Sequence, residues 1–86
     1  DKEGEVFAGN ITGLTDWGIY VELEENFCEG MIPLKSLKGD RYLFDEDDYI
    51  VYGQRSGEEF NLGDRLMVKV LKVNLNRKQI DLQLLD

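Results

Sequence analysis

Apolar and polar residues alternate in short runs along most of the chain, and glycine-rich or polar turns separate these runs. The clearest run covers residues 18–23, where Ile19, Val21 and Leu23 share one face of an extended strand. Tyr20 lies between them and therefore points to the opposite face. No segment keeps a helical period for more than about a turn and a half. The pattern predicts an all-β fold.

Weaker signals place the other elements. Four further strands are predicted, at residues 5–12, 29–32, 65–73 and 79–85. The first contains Gly9 where its alternation changes parity, as expected of a strand that bulges and bends at that point. Pro33 opens a predicted single helical turn over residues 33–37. In the last strand the predicted core stripe is Ile80, Leu82 and Leu84.

The connection between the third and fourth of these strands, residues 38–61, is long and rich in aromatic and acidic residues. Connections of this length usually carry structure of their own. The runs 49–52 and 58–62, separated by a glycine-containing turn, predict a small extra hairpin.

Four consecutive carboxylates, Asp45 to Asp48, stand within this connection. Consecutive carboxylates do not all converge on one ion, and the spacing and glycine of a calcium loop are missing. We interpret the segment as a solvated acidic loop.

The order of these elements is that of the oligonucleotide-binding barrel. We therefore predict a five-stranded antiparallel barrel, with a short helical turn after the third strand and a long insertion before the fourth. Eighty-six residues suffice for one domain with one modest core, so residues 1–86 are assigned to a single domain. Because the sequence starts at Asp1 without methionine, we expect it to be a segment of a larger protein.

The composition excludes several classes of functional site. Cys28 is the single cysteine and histidine is absent, which excludes an internal disulfide, the usual zinc sites and Cys/His catalysis. We expect Cys28 to be an inert, buried or half-buried thiol and Phe27 to be a core residue. No apolar run approaches the roughly 18 residues of a membrane helix, so we expect no membrane association and a cytoplasmic location.

The net charge of −8 argues against nucleic-acid binding, because phosphate contact normally requires a basic surface. Its distribution weakens the objection. Residues 60–86 carry five bases and three acids, whereas residues 1–39 carry eight acids and three bases and residues 40–59 carry seven acids and two bases. The final third is the basic part of the chain.

Several short motifs together resemble the S-one RNA-binding motif, the barrel first described in a ribosomal protein. The matching pieces are Gly9, Ile11 and residues 4–6 (GEV), 14–18 (LTDWG), 19–23 (IYVEL), 29–32 (EGMI), 36–37 (SL), 63–64 (GD), 68–70 (VKV) and 80–82 (IDL). Within this family the long connection is similar to that of the C-terminal S-one domain of the ribonuclease R and ribonuclease II exoribonucleases. The residues that carry this likeness are Asp40, Tyr42, Phe44, Gly53, Gly57 and residues 60–64 (FNLGD).

The resemblance implies a non-catalytic domain that grips single-stranded RNA largely independently of sequence. In that family the domain guides the 3′ end into a separate catalytic domain, which uses magnesium to hydrolyse RNA. The expected partners are single-stranded RNA and the catalytic and other nucleic-acid-binding domains of the parent chain. For this domain itself we expect no cofactor, no metal, no catalytic residue and no enzymatic activity.

RNA grip by such a barrel requires aromatic rings for unstacked bases and cations for the backbone. The predicted RNA-binding rings are Trp17, Tyr20 and, in a strand position that leans outward, Phe7. The predicted cations are Lys35 and Lys38 beside the helical turn, and Arg77 and Lys78 in the turn before the last strand. In this family that turn usually carries a basic residue that contacts RNA.

Three positions depart from the family pattern: Pro33 replaces a common histidine, Asn74 a usual aspartate, and Gln79 a usual basic residue. They predict weaker binding with an unchanged fold. Two alternatives remain open at this point. Instead of an exoribonuclease domain, the barrel would then be a protein-interaction or structural module with weak or no RNA binding, or an S-one domain of a translation or RNA-turnover protein.

Overall fold

A computed structural model describes residues 3–85, which form eight strands and a single turn of 3₁₀ helix, Leu34–Ser36. The strands are β1 (Val6–Leu14), β2 (Gly18–Leu23), β3 (Glu29–Pro33), β4 (Tyr42–Asp45), β5 (Ile50–Gly53), β6 (Glu59–Phe60), β7 (Arg65–Asn74) and β8 (Gln79–Leu84). The all-β prediction and the helical turn after the third strand are confirmed.

Five of these strands close a barrel in the order β1-β2-β3-β8-β7. The predicted barrel is therefore correct, but the prediction that all its strands are antiparallel is wrong. Strand β3 runs parallel to β8, with Met31 opposite Asp81, whereas the other neighbours pair antiparallel. The parallel seam arises because the chain leaves β3 for the long insertion and returns through β7 before β8.

Alternate residues of the barrel strands point inward and form the core. The fully or nearly fully buried set is Phe7, Ile11, Leu14, Ile19, Val21, Leu23, Ile32, Val51, Phe60, Val68, Val70 and Leu82. In the last strand Leu82 is buried, and the flanking Ile80 and Leu84 pack against the core, as the predicted stripe requires.

Strand β1 differs from its prediction at two positions. The bulge lies between Ile11 and Gly13, where the register with β2 shifts, and not at Gly9. Gly9 is instead a point of close approach, because a Cβ there would lie 2.9 Å from the carbonyl oxygen of Glu22. Phe7 is 5% exposed and belongs to the core, so the prediction that it leans outward to meet RNA is wrong. The misplaced bulge explains this error, because without a bulge at Gly9 the inward face of β1 includes Phe7.

The long connection contains the predicted hairpin and one strand more. Strands β4, β5 and β6 form a separate antiparallel sheet, in which β4 was not predicted. Val51 and Phe60 from this small sheet are buried in the same cluster as the barrel core. The tyrosine ring of Tyr42 also packs on that of Phe60, with 5.8 Å between their centroids. The insertion is thus an integral part of the domain.

The Asp40 carboxylate fastens the start of this small sheet to its β5–β6 turn. Its Oδ2 accepts hydrogen bonds from the backbone N–H groups of Ser56 (2.7 Å) and Arg55 (3.0 Å), and its Oδ1 accepts one from Arg41 N–H (2.7 Å). These donors, Ser56 first, hold the pKa of Asp40 at about 2, below its ordinary value of 3.8. A group with a lowered folded pKa stabilises the fold above its ordinary pKa and loses that contribution as the pH falls through the folded value.

We predict that Asp40→Asn lowers the Tm at pH 7, because one amide N–H group would then face backbone donors. Protonation removes the same charge from the unmodified chain, so the difference in Tm should shrink between about pH 4 and about pH 2. Asp47→Asn, at an exposed position of the β4–β5 turn, is the control and should leave the Tm unchanged. Thermal melts of the three chains across this pH range test the prediction, and a difference that does not depend on pH would contradict it.

Two residues of the β2–β3 turn, residues 24–28, also differ from their prediction. Phe27 is 75% exposed and Cys28 is exposed, so both were wrongly predicted to be buried. The turn closes through hydrogen bonds from Phe27 N–H to the Leu23 carbonyl (2.9 Å) and from Leu23 N–H to the Cys28 carbonyl (2.8 Å). Phe27 adopts a left-handed φ of 59° in this turn. This turn therefore presents Phe27 to solvent.

Within residues 3–85, no helix is long and apolar enough to cross a membrane.

Candidate nucleic-acid interface

Trp17 stands on residues 15–17, the β1–β2 turn, with its side chain 76% exposed. Its backbone N–H and carbonyl groups are nevertheless both hydrogen-bonded. The N–H donates to Thr15 Oγ1 (3.1 Å), and the carbonyl accepts from Leu34 N–H (3.0 Å) at the 3₁₀ turn. A large ring on an anchored backbone loses little conformational freedom when it stacks on a ligand.

Tyr20 projects from the outer face of β2, as its parity predicts, and is half-buried. Gly13 on β1 lies opposite it, and a Cβ on Gly13 would be 3.5 Å from Tyr20 Cβ and 3.7 Å from its Cδ2. On the other side, Met31 of β3 pairs with Tyr20. The ring is thus set between two neighbouring strands at the edge of a shallow groove of 320 Å³, which also includes Met31, Arg77 and Lys78.

Arg77 and Lys78 stand on residues 75–78, the β7–β8 turn, and both are exposed. Asn74 shapes this turn, because its Oδ1 accepts a hydrogen bond from Arg77 N–H (3.1 Å). Lys78 follows with a left-handed φ of 52° and donates its N–H to the Leu75 carbonyl (3.3 Å). Asparagine in place of the family's aspartate therefore still provides the acceptor that caps the turn, without adding a negative charge beside the two cations.

The structure divides the predicted cations between two ends of the interface. Arg77 and Lys78 precede β8 and share the groove of Tyr20. Lys38 lies beside the opposite end of β8, in a pocket with Gln83 and Leu84, and Lys35 is exposed on the 3₁₀ turn that contacts Trp17. Strand β8 advances by about 3.3 Å per residue, so its two ends are separated by more than 10 Å. The candidates form a strip along the barrel and not one cluster.

Two acidic groups on this face accept hydrogen bonds from neutral neighbours. Glu29, on β3, accepts a 2.6 Å hydrogen bond from the Thr12 hydroxyl on β1, so its carboxylate leans across β2 and away from β8. Asp81 accepts from the Gln79 side chain at 3.5 Å. The rings therefore lie on the β2 side of this face and the cations at the start of β8, and Glu29 lines the groove between them.

The two outward-facing residues that β3 contributes to this groove, Glu29 and Met31, were missing from the sequence prediction. The signal was available: Gly30 and Ile32 point inward, so the residues that alternate with them point outward beside Tyr20. A search restricted to rings and cations leaves out such residues.

The acidic segment in the β4–β5 turn satisfies its own backbone. Asp45 Oδ1 accepts hydrogen bonds from the N–H groups of Asp47 (2.9 Å) and Asp48 (3.2 Å). No group of three or more potential metal ligands is present among residues 3–85. These carboxylates shape a turn on the small sheet.

Comparison with known proteins gives a consistent set of similarities. The chain matches the family described as the S1 RNA binding domain over residues 1–85. It is 40% identical to ribonuclease R of Aquifex aeolicus over 83 residues, which are 96% of this chain and 12% of that protein. With ribonuclease R of Escherichia coli the identity is 38% over 86 residues, which are 100% of this chain and 11% of that protein.

A solved structure of Mycoplasma genitalium RNase R in complex with ribose-methylated single-stranded RNA shares the fold. The TM-score is 0.91 at 26% identity, over 96% of this chain and 13% of that chain. The chain therefore spans about an eighth of the length of these ribonuclease R proteins.

Proposed function

Because this chain belongs to the S1 RNA-binding domain family, we propose that it binds single-stranded RNA along the strip of Trp17, Tyr20, Arg77 and Lys78. The observation that carries the proposal is the separation of roles on this face. An exposed, anchored tryptophan and a tyrosine lie on the β2 side, and two adjacent cations lie at the start of β8. Bases stack on the rings while the phosphates meet the cations.

The same proposal covers the parent protein. The similarity to ribonuclease R supports a parent that is a 3′-5′ exoribonuclease, in which this domain holds RNA and a separate magnesium-dependent domain cleaves it. The domain itself acts without a cofactor and without catalysis. The other domains of the parent are its partners, and the cytoplasm is its location.

Lys35 and Lys38 extend the strip past Trp17 toward the 3₁₀ turn. In the proposal they meet phosphates beyond the base that stacks on Trp17. Stacking on rings is tolerant of base identity, so the expected binding has little sequence preference.

The salt dependence of binding tests the phosphate contacts. A plot of log affinity against log salt for a fluorescent oligouridylate should be linear, with a slope of about −0.7 for each phosphate contact. Replacing both Arg77 and Lys78 by glutamine should make the slope less steep by about 1.4, because two contacts are lost. Fluorescence anisotropy from about 50 mM to about 300 mM salt measures both slopes.

Arg55→Gln is the matched control, because Arg55 is an exposed cation on the β5–β6 turn of the small sheet. It should leave the slope unchanged. The same change in slope per charge removed in both variants would assign the salt dependence to net charge and overturn the proposed contacts. If the chain binds no RNA even at about 50 mM salt, the barrel is an interaction or structural module, which its charge of −8 favours.

A further inference from the structure

A second groove lies at the end of the barrel, between the β2–β3 turn and the β7–β8 turn. Its lining is mostly apolar and includes Val70, Val73, Leu75 and Ile80. Leu75 is 82% exposed at its rim. Residues of this kind are usually covered in a soluble domain, so the groove requires an explanation.

This groove is continuous with the groove of Tyr20. Glu29, Lys78 and Gln79 line both. Lys78 therefore stands between the two, with its ammonium group available to a phosphate that bridges them. An RNA strand that crosses Tyr20 and leaves along Lys78 enters the second groove directly.

Phe27 stands beside this groove, between Asn26 and Cys28, both of which line it. It is 75% exposed and holds a left-handed φ of 59°. Asparagine and glycine adopt that conformation at lower cost than a bulky ring does. The turn alone does not require phenylalanine, and an exposed ring in an unfavourable conformation indicates a functional use.

Two cations at the rim can meet the phosphates of a nucleic acid. Lys78 lines the groove and Arg77 precedes it. Of the nearby acids, Glu24 is paired with Arg65, with 2.9 Å between the carboxylate and the guanidinium, and Glu29 is bonded to Thr12. Glu24 is therefore paired with a cation, whereas the partner of Glu29 is a neutral hydroxyl, and the positive charge at the groove comes from Lys78 and the adjacent Arg77.

We propose that this end groove binds an unpaired nucleobase of the same RNA strand, with Phe27 as the stacking ring and Lys78 as the phosphate contact. The inference rests on the proposed RNA binding and extends it by one base beyond Tyr20. It predicts that the groove is filled by an oligonucleotide long enough to reach it and is left empty by one that covers Trp17 and Tyr20 alone.

Phe27→Asn is the test variant, because asparagine suits the left-handed conformation and removes the ring. It should preserve the Tm while it weakens binding of an oligouridylate of about 12 nucleotides by about fivefold or more, the lower end of what one stacked base contributes. Binding of an oligouridylate of about 4 nucleotides should not change. Leu62→Ala, an exposed apolar residue in the β6–β7 turn, is the control and should alter neither affinity.

Cys28 supplies a second readout, since it is the single cysteine of the chain, is exposed and lines the groove. A neutral maleimide should label Cys28 at least about threefold more slowly when the chain is saturated with the longer oligonucleotide. Saturation with the shorter one should leave the rate unchanged.

The outcomes separate the two proposals. If the longer oligonucleotide binds but neither Phe27→Asn nor the labelling rate responds, the end groove is overturned while RNA binding stands. If no oligonucleotide binds, both fail. A monomer–dimer equilibrium abolished by Phe27→Asn, together with unchanged RNA affinity, would assign the groove to a second copy of the chain and overturn the inference.

Discussion

Replacing both Trp17 and Tyr20 by alanine is expected to weaken binding of a fluorescent single-stranded oligoribonucleotide by at least about 25-fold. Each stacked base contributes roughly 1–3 kcal/mol, so two lost rings remove at least about 2 kcal/mol. The anchored backbone of Trp17 and the packed position of Tyr20 against Gly13 hold the two rings in place on this face. Trp17 lies in the β1–β2 turn and Tyr20 three residues later on β2, so we expect each ring to stack on a base of its own and the two losses to add.

These substitutions should have a much smaller effect on the stability of the fold than on RNA affinity. Trp17 is 76% exposed, so Trp17→Ala should change the free energy of unfolding by no more than about 0.5 kcal/mol. Tyr20 is half-buried and its loss should cost somewhat more. Urea unfolding of each variant separates this cost from the loss of RNA binding.

Tyr52→Ala is the matched control, since Tyr52 is a half-buried tyrosine on β5 of the small sheet. It should leave the affinity unchanged. Trp17 is also the single tryptophan of the chain, so its fluorescence should be quenched when RNA binds to the unmodified protein and to Tyr20→Ala. Full affinity in the double variant, or RNA binding that leaves the Trp17 fluorescence unchanged, would place the RNA on another face.

The barrel itself was predictable because the alternation in β2, β7 and β8 is regular. The family resemblance drawn from short motifs was also confirmed, by a match over residues 1–85. Alternation decides which residues face inward on each strand, and the order of strands and turns then restricts the topology to few choices. Tyr20 was placed correctly by this rule.

The errors have a common physical cause. A bulge shifts every side chain after it to the other face, and its position in β1 depends on the partner strand, which the local sequence does not reveal. Phe7 was therefore assigned to the wrong face. The parallel seam between β3 and β8 likewise depends on how the barrel closes, because the two strands are far apart in the chain.

Turn residues were the other source of error. Phe27 and Cys28 have apolar side chains and were predicted to be buried, yet a turn that projects from the barrel end exposes whatever it carries. The groove beside Phe27 was invisible to sequence reasoning for the same reason, since its two walls come from turns about 50 residues apart, at residues 24–28 and 75–78. The orientation of Tyr20 could be predicted because it follows from the alternation within one strand. The end groove could not, because it forms only when the closed barrel brings two distant turns together.

The second large expected effect is a loss of stability when the seam that closes the barrel is disturbed. Gly30 lies inside β3 at the seam with β8, and a Cβ there would lie 2.8 Å from the Ile80 carbonyl oxygen and 2.8 Å from two carbons of Leu82. A backbone carbonyl cannot retreat without moving the whole strand. We expect Gly30→Ala to cost about 2 kcal/mol of unfolding free energy, within the range for an overpacked core. For a domain of this size that lowers the Tm by about 8–16 °C.

Gly13→Ala is the matched control, because it is also a glycine in a barrel strand and its Cβ would meet Tyr20 at an ordinary 3.5 Å. It should change the free energy of unfolding by less than about 0.5 kcal/mol, since alanine at an uncrowded position costs little. The seam also joins Met31 of the Tyr20 groove to the strand that follows Lys78, so Gly30→Ala should weaken RNA binding as well. Equal stability of the two alanine variants in thermal and urea unfolding would contradict this prediction. It would show that β8 can shift at the seam to accommodate the added Cβ, and that the β3–β8 seam does not fix the geometry of the Tyr20 groove.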